Sequence, residues 1–344
     1  MFSGNTAQVV ASGPPYSIAV SSENAPSVSA YPFSSSSGFG TRFSNPATMP
    51  AGQGRSLAFT PSGNAIAVGS SASPFITAYP WSASGFGTKF ADPALLPAFV
   101  GQTVAFSPNQ AAIAIGVFVS GGALAYAWSN SGFGSRFAAP ATLPAGRPRG
   151  VAFSPTSNAV AFAHEGSPFV TAYPWSGSGF GTKFTDPATL PTGTGFGVAF
   201  SPDGAALAVA HGTSPFVSVY AWSGSGFGSK FADPSTLPTG SGNGVAFTPT
   251  SNAIAVSHSS SPFITAYPWS GSGFGTKFAN PATTATGNGN AVAFSPDGAV
   301  VAVAHSTSPS VTAYPWSGSG FGTKFANPAT LPGANGFGVA FSPV

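Results

Sequence analysis

The tripeptide Gly-Phe-Gly recurs along this chain with its phenylalanine at Phe39, Phe86, Phe133, Phe180, Phe227, Phe274 and Phe321, and every step is 47 residues. Seven copies fill nearly all of the 344 residues. A chain that repeats itself at this period builds its fold by stacking one small unit on the next. That constraint overrides length, which alone would suggest two or more domains.

One copy, residues 198–240, contains four strand-like runs separated by turn chemistry. Residues 198–201 are a short apolar run ended by Pro202-Asp203-Gly204, a β-turn signal. Residues 205–211 are apolar at almost every position. Residues 216–222 are rich in β-branched and aromatic side chains, and residues 227–231 alternate Phe with a cation. No window carries the 3.6-residue stripe of a helix. The first two runs are apolar on both sides, as in sheets covered on both faces. Seven such units predict an all-β fold, a seven-bladed β-propeller with four antiparallel strands per blade. Pro32, Pro80, Pro174, Pro268 and Pro315 sit near the aromatic end of the third run, with Ala127 and Ala221 in two other copies. Proline cannot donate to a ladder, so a bulge or one-sided pairing is expected there.

The segment Val-Ala-Phe-Ser-Pro-Asp-Gly (198–204 and 292–298) resembles the corresponding stretch of WD40 repeats. Trp81, Trp128, Trp175, Trp222, Trp269 and Trp316 stand where that family has its Trp. The resemblance implies the same seven-bladed propeller. Ser rather than Asp follows each Trp, and no Gly-His pair precedes the first strand, so the polar network of that family is not expected. Low-charge, cysteine-free arrays also resemble structural proteins of bacterial viruses.

The first strand occurs eight times if both ends are counted. The C-terminal copy ends in Phe341, whereas the N-terminal one has Ala11 in its place. The expected single domain therefore comprises an N-terminal segment or arm (1–15), seven repeats (16–337) and a ring-closing inner strand (338–344). That strand would remove an open edge.

Composition limits what the ring can do. Lys and Arg number ten against seven Asp and Glu, only 5% of residues, so the basic balance does not point to nucleic acid. There is no Cys, which excludes disulfides and thiolate metal sites. The longest apolar run, near residues 111–119, falls short of the roughly 18 residues a membrane span needs. The first fifteen residues lack the cations of a signal peptide. No membrane insertion is expected, and a virion or extracellular location is favoured over a cytoplasmic one.

His164, His211, His258 and His305 are also 47 apart. In a seven-fold ring such positions should lie about 10 Å from one another, whereas ligands of one zinc approach within about 4 Å. They read as polar caps of the second strand. Arg42, Lys89, Arg136, Lys183, Lys230, Lys277 and Lys324 give each blade one rim cation, which protects an outer edge. Asp203 and Asp297 are turn residues. No acids pair in sequence, no nucleophile elbow is present, and the Ser-Gly-Ser-Gly-Phe-Gly stretch precedes a strand rather than a phosphate-holding helix.

Identical positions serve the fold, so recognition belongs where copies differ. The loops leading into the first strand vary most (52–56, 98–103, 145–150, 192–197) and hold the non-periodic cations Arg55, Arg147 and Arg149. The candidate recognition patch is Phe99, Arg147 and Arg149. No catalytic residue, cofactor or metal is expected. The chain reads as a non-enzymatic structural or binding propeller whose partners are other proteins of an assembly such as a bacteriophage virion. A multivalent lectin-like propeller binding cell-surface glycan is the alternative. An enzyme in the central channel would need polar groups clustered on the first strand, where residues 198–201 and their counterparts offer almost none.

Overall fold

Burial on both faces selects the second strand of every unit. Ala206–His211 and its six counterparts are buried at every position. Around each of these strands the chain folds an antiparallel meander, and seven four-stranded sheets form a closed ring of blades. This is the fold of a computed structural model that describes residues 16–343, all strands and turns with no helix. Among these residues no helix is long and apolar enough to cross a membrane.

The core lies between blades. In one such layer Ala19, Val28 and Ala30 of the first blade meet Leu57, Ile66, Val68, Tyr79 and Trp81 of the second. Trp81 is met edge-on by Phe43 of the preceding blade and by Phe59 and Phe86 of its own, at centroid distances of 5.3, 5.2 and 4.9 Å. Edge-to-face aromatic pairs contribute about 0.5–1.5 kcal/mol beyond their buried area. The tyrosine two residues earlier has a second task. Tyr79 donates its hydroxyl to the Thr48 carbonyl in the loop from the preceding blade, at 2.7 Å, and Tyr31, Tyr126, Tyr173, Tyr267 and Tyr314 do likewise.

The prolines shape the outer edge as their chemistry requires. Pro80 pairs normally with Ala65 of the second strand, and the next N–H, that of Trp81, also points inward to Asn64. The donor that proline lacks therefore faces the outermost strand. In the proline blades that strand is only two residues, as in Gly85–Phe86. Where Ala127 and Ala221 replace proline it extends to five, Gly132–Arg136 and Gly226–Lys230. At the other end, the Asp203 carboxylate accepts the Ala205 N–H and the Ser201 hydroxyl, closing its turn.

The C-terminal strand Gly336–Phe341 lies beside Tyr16–Ser22 as the innermost strand of the first blade. Phe341 packs there against Tyr16 and Phe33 at 5.4 and 5.8 Å. The expected N-terminal arm lies outside the described residues. One boundary differs from expectation. The innermost strand does not begin at Val198 but three residues earlier, spanning Gly195–Phe200. Its burial is incomplete, because Phe196, Gly197 and Val198 line the central channel, while Phe200 and Ala199 pack into the layers on its two sides.

Candidate functional site

Seven innermost strands converge on the axis, so their second residues form one circle. In ring order it reads Phe337, Arg55, Gln102, Arg149, Phe196, Asn243 and Asn290, all half-buried. Beneath it the third residues are small: Ser56, Thr103, Ala291 and four glycines. The need for small residues is direct. A Cβ on Gly197 would lie 3.0 Å from the Asn243 carbonyl oxygen and the Gly244 Cα of the next strand. Leu57 and six valines make the third ring. Together they enclose a cavity of about 370 Å³ at the mouth of the channel.

The upper circle is where the seven-fold symmetry of the scaffold fails. Arg55, Gln102 and Arg149 form a donor-rich sector, Asn243 and Asn290 an amide sector opposite, and Phe337 and Phe196 separate the two. The arginines are held differently. Arg149 donates through Nε to Glu165 Oε1 at 2.9 Å and through Nη2 to the same oxygen, and its guanidinium lies 4.7 Å from the Phe118 ring. Arg147 approaches that ring to 4.5 Å and Glu165 Oε2 to 3.9 Å. Arg55 lies 4.8 Å from the Phe337 ring. It makes no salt bridge among the described residues, and its buried Nε has no hydrogen-bond partner. Burial lowers the Arg55 pKa, the Glu23 charge opposes that shift, and the Arg149 charge adds to it. Glu23 itself accepts from Gln53 at 3.2 Å and Asn335 at 3.0 Å.

Of the expected patch, Arg149 lines the cavity and Arg147 stands behind it, joined through Phe118 and Glu165. Phe99 is 48% exposed in its loop and does not line the cavity. Sequence reasoning noted Arg55 as a non-periodic cation but left it out of the patch, and it passed over Gln102, Asn243 and Asn290. The signal was present as a column: these residues, with Arg149, share one repeat position. Glu165 and Phe118 share another, the residue after the second strand, which Glu23 also occupies.

The four histidines belong to the interior. Each is fully buried, with Nε2 at 2.8–3.0 Å from a hydroxyl of its own blade: Thr171, Ser218, Thr265 or Thr312. Burial pushes each pKa down to about 4. On the rim, Lys89, Lys183 and Lys230 pair with Asp92, Asp186 and Asp233. Lys277 and Lys324 meet Asn280 and Asn327 instead.

No protein-family model and no curated protein matches the sequence. Solved structures do match its fold. A candidate 6-phosphogluconolactonase from Bacteroides uniformis superposes with a TM-score of 0.73 at 13% identity, over 95% of this chain and 99% of that one. The periplasmic gluconolactonase of Pseudomonas aeruginosa gives 0.72 at 16% identity, over the same shares. Kuenenia stuttgartiensis hydrazine synthase gives 0.59 at 14% identity over 76% of each chain. Identities this low carry the fold alone.

These likenesses correct the expectations of function. Two proteins that share the whole ring bear the names of lactone-hydrolysing enzymes, which overturns the reading of this chain as a non-enzymatic virion component or a lectin-like propeller. None of the structures named above is a WD40 protein, and none supports the bacteriophage likeness. The physical reason is visible in the channel. A first strand starting at Val198 would leave the channel almost bare of polar groups, whereas the polar circle lies on the residues just before it.

Proposed function

We propose that this propeller is a hydrolase that opens the lactone of a hydroxylated, anionic sugar acid in the mouth of its central channel. The observation that carries the reading is the mixed circle, with a cationic sector, an amide sector and two aromatic faces around a cavity of small-molecule size. The lactonase names of two structures with the same fold support the choice of reaction.

In the reaction a water oxygen bonds to the lactone carbonyl carbon and the ring C–O bond breaks. The water proton passes to the departing ring oxygen, leaving a hydroxy acid. Negative charge develops on the carbonyl oxygen in between. Arg149 is suited to meet it, because Glu165 and Phe118 fix its guanidinium before substrate arrives. Among the described residues neither carboxylate nor imidazole lines the cavity. The site therefore acts by stabilising charge, on a bond that water already attacks unaided at neutral pH.

The test is lactone hydrolysis measured against the spontaneous rate, with glucono-δ-lactone and its 6-phosphate as substrates. Turnover should exceed the background and fall about a hundredfold in Arg149→Gln, the usual loss for one oxyanion donor. Hydrolysis at the spontaneous rate for both lactones would remove the proposal.

A further inference from the structure

Two arginines face one cavity, and only one already has a counter-ion. We infer that Arg55 alone anchors the anionic group of the ligand, while Asn243 and Asn290 accept hydrogen bonds from its hydroxyls at the opposite side, so that the ligand binds in one orientation. This deepens the reading above and rests on the same cavity being the ligand site.

Arg55 has bonding capacity that the described residues leave unmet. A guanidinium carries five N–H donors and no acceptor. Arg149 directs two of its nitrogens at Glu165. Arg55 has a buried Nε with no acceptor, and no carboxylate of the described residues lies within salt-bridge distance. Its nearest acid, Glu23, is engaged by Gln53 and Asn335. An incoming carboxylate or phosphate would meet the two terminal Nη groups, which are not buried and make no hydrogen bond among the described residues, and planar bidentate pairing with such groups is what arginine does best.

The two asparagines have amides of fixed direction. Asn243 Nδ2 donates to the Gly289 carbonyl at 2.8 Å, and Asn290 Nδ2 donates to the Gly336 carbonyl at 2.8 Å. A carbonyl can only accept, so these bonds decide the orientation of each amide, with Nδ2 toward the next strand's backbone and Oδ1 turned away from it. Among the described residues the two Oδ1 atoms accept nothing, and neither is a buried unpartnered atom. They present acceptors, which match hydroxyl donors and repel an anion. The cavity is thus polar along one diameter, with donors at Arg55 and acceptors across from it.

The ligand class is an anion carrying several hydroxyls, and both carboxylates and phosphates qualify. The experiment is calorimetric titration with gluconate, glucose 6-phosphate and neutral sorbitol. Arg55→Gln and Arg149→Gln are suitable variants, because Gln102 shows that the strand accepts glutamine at this position. Both anions should bind more tightly than sorbitol, and whichever binds better identifies the anionic group. Arg55→Gln should weaken the anions at least tenfold and leave sorbitol within threefold. Arg149→Gln should weaken the anions less than threefold. The paired change Asn243→Ala with Asn290→Ala should weaken all three polyols alike. Equal losses in the two arginine variants, or sorbitol binding as tightly as the anions, would overturn the assignment. Anion binding through Arg55 without lactone turnover would refute the hydrolase and leave the assignment standing. Turnover with anion binding indifferent to Arg55→Gln would do the reverse.

Discussion

Lowering the pH from 7.5 to 5 should loosen this ring, and the four buried histidines set how much. Each is held neutral, its pKa pushed down to about 4 by burial against an ordinary value of 6.5. Between those values the unfolded chain binds protons that the folded one refuses, so the histidine contribution is complete above about pH 6.5 and is lost progressively toward pH 4. At pH 5 the loss comes to about 2 kcal/mol for each histidine and about 8 kcal/mol for four. An unfolding entropy scaled to 344 residues is about 0.7 kcal/mol per degree, so the midpoint should fall by about 11 °C. Thermal melts and urea titrations followed by tryptophan fluorescence at pH 7.5, 6.5, 5.5 and 5.0 would measure it. His211→Ser is the informative variant, because Ser70 holds the equivalent place in the second blade. Its stability should depend on pH less steeply, by up to about 1.4 kcal/mol per pH unit between pH 4.5 and 6. An unchanged slope in His211→Ser and in the double variant with His258→Ser would refute the reasoning.

Two further tests address the fold. Tyr79→Phe strands the Thr48 carbonyl and should destabilise by about 1–2 kcal/mol. Tyr220→Phe should be neutral, since that buried hydroxyl has no hydrogen-bond partner among the described residues; equal losses in calorimetric melts would contradict the assignment. Ending the chain at residue 335 removes Val339 and Phe341 from the core and leaves Tyr16–Ser22 with a bare edge. At about 1.5–3 kcal/mol for each side chain, melting should drop by several degrees or the protein should aggregate, whereas a midpoint within about 2 °C of the full chain would argue that closure adds little.

The ring was readable because duplication printed its architecture seven times. A 47-residue period, a Pro-Asp-Gly turn and a wholly apolar second strand leave little choice of fold. Even the proline position could be read, since a missing N–H must face somewhere, and it faces the outermost strand. The channel mouth was harder for a physical reason. Residues 195–197 are Gly-Phe-Gly, which carry weak strand preference of their own. They are extended because neighbouring backbones crowd around the axis, as the 3.0 Å approach to Gly197 shows. Moving the strand start by three residues turns an apparently bare channel into a polar one. The second obstacle is distance along the chain. Arg55 and Arg149 are two blades apart, and Arg149 meets a Phe118 ring supplied by the blade before its own, so no local motif joins them. Phe99 drew notice as a variable loop aromatic, but variation in a loop does not say which residues turn toward the axis.

The circle at the channel mouth separates what the scaffold must keep from what it can change. Each spoke contributes one side chain there, and Arg, Gln, Asn and Phe all occur without altering the strands that carry them. A wheel copied from a single template can thus acquire a new chemical preference by editing one spoke, while the other six, and the axle they share, stay as they were.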